Sequence, residues 1–133
     1  MCIDMVNSSA FNYINVLDKA ADASWTRNKV LANNIANVST PNYKRQDVSF
    51  ESYLKNAISS DSVLDNAVNQ MDLNTINGAI YTDHSNLSTR MDGNNVDIDV
   101  EEANYAENQI KYNAIMDSIT HEFTRLNDVL KNI

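Results

Sequence analysis

Residues at alternating spacings of three and four run from Ile14 through Leu17, Ala21, Ser24, Asn28, Leu31 and Ile35 to Val38, and most of them are apolar or small. This is the repeat of one helical face, and it predicts a single long helix over residues 8–38 with Ser8 or Ser9 as its N-cap. Ser24 and Asn28 interrupt the seam in its middle, while Phe11, Trp25 and Ala32 are expected to widen the apolar face on one flank. The far end of the chain repeats the theme. Tyr105, Gln109, Tyr112, Met116, Ile119, Phe123, Leu126, Leu130 and Ile133 follow the same alternation, with Glu101 and Glu102 at its start and Lys131 at its end, as the helix dipole favours. Two helices of matched length predict an antiparallel or coiled-coil pair along their whole extent. Such a pair buries too little to offset the entropy of ordering it, so further copies or partners are expected to complete the core, and Ile133 to be covered.

Between the helices the pattern weakens. Residues 48–54 suit either a short helix or a strand, and the polar, Asn-rich run after them predicts an irregular or partly disordered segment. In 96–101 the residues Val96, Ile98 and Val100 alternate with Asp97, Asp99 and Glu101, which predicts a short strand leading into the helix or an extended segment laid on a neighbour. The expected fold is therefore mainly α. Residues 1–45 form the first helix and its terminal turn, 46–95 a polar flexible middle, and 96–133 an extended segment with the second helix, all one structural unit.

Composition narrows the function classes. Two glycines and one proline leave few tight turns, which suits long helices. The net charge of -8 argues against nucleic acid and anionic lipid as partners. That charge is graded: residues 1–45 carry five cations and three acids (+2), 46–100 two and nine (-7), and 101–133 three and six (-3), a distribution that fits solvated faces with no directional meaning first and head-to-tail assembly second. Cys2 stands alone, so no intrachain disulfide is expected. The N-terminal residues have neither the basic region nor the apolar run of a signal peptide, which predicts a cytosolic chain or one exported by a route that needs no cleaved signal.

No catalytic or cofactor constellation emerges. His84 and His121 lie far apart and belong to no spaced ligand set. A calcium loop starting at Asp92 would need an oxygen ligand at its fifth position and glycine at its sixth, where Val96 and Asp97 stand. The cluster Arg27, Lys29, Lys44 and Arg45 is too slight for nucleic acid on an acidic chain. Surface for other proteins is what remains.

The first helix ends in "LANNIANVSTPNYKR" (31–45), which loads amides onto a helix terminus and then stops it with Pro41. This resembles the N-terminal signature of bacterial flagellar rod and hook proteins, an Asn-Asn-x-Ala-Asn helix end followed by a Thr-Pro-Gly-Tyr-Lys turn; Asn42 replaces the glycine and is expected to supply the positive φ of a type II turn. "DGNNVDIDVEEANYAENQIKYNAI" (92–115) is similar to the proximal-rod branch of that family, with Gly93, Asn94, Val96, Asp97 and Asp99, then the Ala106 to Tyr112 run, at matching positions. The resemblance implies a structural rod subunit of the flagellar basal body that transmits torque, with the terminal helices paired as a coiled coil and no enzymatic activity. It implies other copies of itself and other rod proteins as partners, together with membrane-ring junction proteins and the type III export apparatus. Asn33, Asn34, Ile35, Asn37, Pro41, Tyr43 and Lys44 then become subunit-interface candidates, with the amides fixing register across subunit boundaries. On the second helix the candidates are Gln109, Tyr112, Met116, Ile119, Phe123, Leu126 and Leu130. A cytosolic coiled-coil adaptor or export chaperone is the alternative reading.

Overall fold

The computed structural model describes residues 9–59, 63–73, 78–84 and 90–131; the expectations for Cys2, a Ser8 cap and Ile133 lie outside them. Six elements follow in order: α1 (Ser9–Ala36), β1 (Gln46–Ser49), α2 (Glu51–Ile58), α3 (Leu64–Gln70), β2 (Ala79–Thr82) and α4 (Ile98–Lys131). At ~1.5 Å per residue α1 is about 42 Å long and α4 about 51 Å. They pair antiparallel, since Asn34 meets Glu101 while Ser24 meets Asn108.

On α1 the predicted face is the buried one at Ile14, Ala21, Ser24, Asn28 and Leu31, with Leu17 and Ile35 half-buried. The flank is the other one. Phe11, Trp25 and Ala32 are exposed, whereas Ala20, Ala23 and Val30 pack with Val48 and Phe50 of the middle segment. The flank differs because the middle segment, expected to be irregular, packs Val48 and Phe50 against Ala20, Ala23 and Val30.

The middle segment is more regular than its polarity suggests. β1 and β2 pair antiparallel in the register Gln46↔Thr82 and Val48↔Ile80. Gly78 lets β2 enter beneath α1, for a Cβ there would lie 2.9 Å from Val48 Cγ1 and 3.2 Å from Ala23 Cβ. α2 follows β1 directly, and Ala67 and Val68 of α3 are buried. Tyr13 on α1 donates its hydroxyl to Asp65 of α3 at 2.7 Å.

The strand expected at 96–101 is absent, and residues 98–101 already belong to α4. Asp97 caps the helix: its Oδ1 accepts from the amides of Asp99 (3.1 Å) and Val100 (3.4 Å), and its carbonyl accepts the first helical bond from Glu101 (2.9 Å). A capping side chain therefore outweighs a six-residue alternation.

Candidate assembly site: a polar clasp and an apolar ridge

α1 ends where its amide-rich sequence meets the residues before α4. Asn34 is fully enclosed. Its Nδ2 donates to the Gln46 carbonyl (2.7 Å) and to Glu101 Oε2 (2.8 Å), and its Oδ1 accepts from the Gln46 amide (3.0 Å) and the Tyr43 hydroxyl (3.1 Å). One side chain thus holds the edge of β1, the signature tyrosine and the start of α4. Glu101 is equally enclosed, and its other oxygen meets Arg45 Nε.

From Arg45 the charges alternate. Arg45 Nη2 reaches Asp47 Oδ2 at 2.8 Å, and Asp47 in turn accepts from Arg27 Nε at 3.0 Å. Burial alone would lower the Arg45 guanidinium, but hydrogen bonds to Glu101 and Asp47 reverse this and raise it. Burial also pushes against ionisation of Asp47, yet the Val48 amide, Arg45 and Arg27 hold its carboxyl below the usual range. Tyr43 is raised, by burial first and then by the charge of Glu101.

The carbonyls at the end of α1 find their donors across the chain. Asn94 is fully buried, and its Nδ2 lies 2.9, 3.0 and 2.9 Å from the carbonyls of Asn37, Val38 and Thr40, while its Oδ1 accepts from the Val96 amide. These carbonyls follow the last turn of α1, and those of Asn37 and Thr40 also accept from the amides of Thr40 (2.9 Å) and Tyr43 (3.3 Å). Arg90 adds a bond to Val38 O (2.8 Å), and Lys44 Nζ donates to Gly93 O (2.6 Å). Asn42 takes φ +61°, as position three of a type II turn requires, with the turn closed by Tyr43 N to Thr40 O at 3.3 Å. Gly93 at φ +73° passes so close that a Cβ would sit 2.8 Å from Asn42 Oδ1.

The amides foreseen as bridges between subunits are thus engaged within the chain. Asn34 has no surface left for a neighbour; Asn37 donates to Asn33 O (2.8 Å) and Oδ1 (3.0 Å); Tyr43 and Lys44 are half-buried. Asn33 and Pro41 are exposed and Ile35 is half-buried. Arg27, Arg45, Asp47, Asn94 and Glu101 were not singled out as site residues, although Gly93-Asn94 was part of the motif and Glu101 lies one heptad before Asn108 on α4.

Farther along the helix pair a second polar contact interrupts the seam. Asn108 Nδ2 donates to Ser24 O and Asn28 Oδ1, both at 2.8 Å, and Gln109 receives a weaker bond from Asn28 at 3.4 Å. Beside it the apolar positions of α4 divide. Tyr112, Ile119 and Leu126 are half-buried, but Met116, Phe123 and Leu130 are exposed, the last by 70%. Trp25 joins them from α1, 51% exposed, its ring centroid 6.0 Å from that of Tyr112 and Lys29 Nζ 5.4 Å from its face. The result is an apolar ridge along one flank of the pair that a single chain leaves in water. Among the described residues no cluster of His, Cys, Asp and Glu could hold a metal ion, and no helix is long and apolar enough to cross a membrane.

A paired set of long terminal helices with an exposed apolar ridge is the form of a self-associating structural protein. Residues 14–44, which span most of α1 and the turn, match the family described as Flagella basal body rod protein. The flagellar basal body rod protein FlgB of Bacillus subtilis is 34% identical over 115 residues, covering 86% of this chain and 89% of its own. FlgB of Borrelia hermsii is 36% identical over 130 residues, covering 89% and 95%, and that of Borreliella burgdorferi is 36% identical over 120 residues, covering 83% and 89%. The chain belongs to the flagellar basal body rod proteins and, within them, to the FlgB family.

Proposed function

We propose that the chain is a structural subunit of the proximal rod, the part of the flagellar axis that connects the membrane ring to the distal rod and carries torque between them. The observation that carries this reading is the ridge of Trp25, Met116, Phe123 and Leu130, apolar surface that the fold exposes on the two helices a rod protein uses for assembly. The clasp supports it from the other side: a helix pair fixed at one end by buried polar contacts resists sliding, as a torque-bearing element must. Its site is the rod zone of the basal body. Its partners are further copies, other rod proteins and the membrane-ring junction, with the type III export apparatus delivering it without a cleaved signal peptide.

The test is genetic and biochemical together. The gene is introduced into a motile bacterium lacking its own FlgB, basal bodies are purified, and the subunit is sought in them by immunoblot while swimming is scored. Presence in the rod with restored swimming supports the proposal. A chain that accumulates in the cytoplasm as a stable dimer and never enters basal bodies rejects it in favour of an adaptor or chaperone.

A further inference from the structure

α2 lies beside the helix pair without settling on it. None of its eight residues is buried, and its apolar side chains Leu54, Ala57 and Ile58 are only half-buried. Hollows adjoin that face. One is an apolar groove of about 380 Å³, bounded by Leu54 on the α2 side, Ala114 and Ile115 on the α4 side, and Ala20 and Ala23 of α1 between them. The second, also about 380 Å³, is lined by α2 and the residue after it, at Glu51, Leu54, Lys55, Ile58 and Ser59. An apolar cavity of about 150 Å³ already accommodates a benzene ring, so the groove has room for the side chains of Leu54 and Ile58 together.

What holds α2 back from the groove is slight. Among the described residues its only side-chain polar bonds to α1 and α4 come from Glu51, which meets Lys111 Nζ at 2.8 Å and Arg27 Nη1 at 3.6 Å and is itself 66% exposed. Both cations have a second carboxylate, Asp47 at 3.0 Å for Arg27 and Glu107 at 2.8 Å for Lys111, so releasing Glu51 strands no charge. A pair so exposed contributes little. All three of Glu51, Arg27 and Lys111 line the groove, so the bridge spans it as a strut and must break when the walls meet. The ends of α2, by contrast, are fixed. Phe50 is buried where β1 passes into α2, and Ala67 and Val68 of the following helix are buried as well.

From this arrangement we infer that α2 is a strap with two positions: it pivots about Phe50 toward α4, giving up the bridge from Glu51 to Lys111 and burying Leu54 and Ile58 in the groove. Apolar burial drives the closure and the strut opposes it. Closing hides the walls that the open form shows to water, so an apolar group arriving from outside competes with α2 for the same space. The strap does not depend on the rod reading.

The experiment is methyl relaxation dispersion on the purified full chain, since collective motions of this kind fall in microseconds to milliseconds. Leu54, Ile58 and Ala114 are expected to share one exchange rate, unchanged on dilution, while Leu31 in the core stays flat. Glu51→Gln is expected to raise the ratio of closed to open form by about two- to fivefold, and added salt to move it the same way. Ala114→Leu fills the space that Leu54 needs and is expected to abolish the exchange at Leu54 and Ile58. Ala114 is exposed, and Ala114→Met takes its place if circular dichroism shows a loss of helix. Flat profiles at Leu54 and Ile58, exchange whose amplitude follows protein concentration, an unchanged ratio in Glu51→Gln, or full exchange in the folded Ala114 variant each overturn the strap. The rod reading is scored separately, by rescue of swimming with the wild-type gene, so rescue alongside any of these results removes the strap alone.

Discussion

Asn34 and Glu101 lie 67 positions apart in sequence and are joined by a hydrogen bond of 2.8 Å, each of them sealed from solvent. The bond ties the end of α1 to the first turn of α4, and Arg45 completes it by meeting the other Glu101 oxygen. Tyr43 and Gln46 bond to Asn34 as well, so the pair gathers β1 and the turn about itself.

Losing Glu101 leaves Arg45 its pair with Asp47 and Asn34 its bond to Gln46 O, so what is lost is one charged hydrogen-bond partner of each. Glu101→Ala is therefore expected to lower the unfolding free energy by about 1.5–3 kcal/mol, read from the urea midpoint at unchanged slope. Glu101→Gln, which can still accept from Asn34, is expected to lose less. Equal midpoints for wild type and Glu101→Ala would show that the pair does not hold the helices together.

Asn94→Ala takes from three carbonyls just beyond α1 a shared donor, while each keeps a second one, from the Thr40 amide, the Tyr43 amide or Arg90. The loss is then that of ordinary hydrogen bonds, and about 1–2 kcal/mol is expected. Hydrogen exchange should report it locally, as faster exchange at the end of α1 and in residues 37–43, with the middle of α1 unaffected.

Asn42 stands in the left-handed region, where a side chain with a Cβ costs about 1–2 kcal/mol that glycine avoids. Asn tolerates it better than Ala does. Asn42→Ala is expected to destabilise by about 1 kcal/mol, and Asn42→Gly to leave the thermal midpoint nearly unchanged. A midpoint for Asn42→Ala equal to that of the wild type would contradict the turn's geometry.

Asp47 gives the clasp an acid limit. Its folded-state pKa is lowered from 3.8, so the unfolded chain takes up the proton first on acidification. The stabilisation from Asp47 is thus complete above the unfolded value and disappears as pH falls through about 3.8 and then through the lower folded one. In Asp47→Asn this portion of the acid dependence is expected to vanish, which equilibrium unfolding between pH 5 and roughly pH 2 would measure.

Asn108→Leu exchanges a buried amide for an apolar side chain in the seam. Asn28 Oδ1 and the Ser24 hydroxyl, both buried, lose their partner, which costs about 1–3 kcal/mol, while an apolar side chain in the seam relaxes register. The expected result is a lowered thermal midpoint together with broadened amide resonances along α1 and α4. Sharp resonances in a single set would show that Asn108 has no part in register.

The long helices were legible because a three-four repeat sustained over several turns has no competing explanation, and Ile14, Ala21, Leu31, Ile119 and Leu126 lie on or beside the face it marked. The sheet was not legible, since β1 and β2 are four residues each and their pairing depends on Gly78 slipping between Val48 and Ala23, a fact of three dimensions. The strand expected at 96–101 misled because alternation and a capped first turn place aspartates at the same positions. Within the clasp, the sequence marked Asn34 and Tyr43 as special but pointed them outward: buried polar residues look alike whether their partners are 67 residues away or in another molecule. The ridge was marked correctly as apolar, and its exposure became visible only when the middle segment was seen to cover the opposite flank.

The separation of the clasp's halves also bears on when the fold can form. While a chain emerges from the ribosome, α1 and β1 are complete long before residue 101, and until then Asn34 lacks Glu101 and Arg45 has only Asp47 and Asp83 as acidic partners. Closing so wide a loop is entropically costly and slow compared with winding a helix. The ordered subunit is therefore a late product of its own synthesis, and a nascent chain interrupted anywhere in its first three quarters remains open.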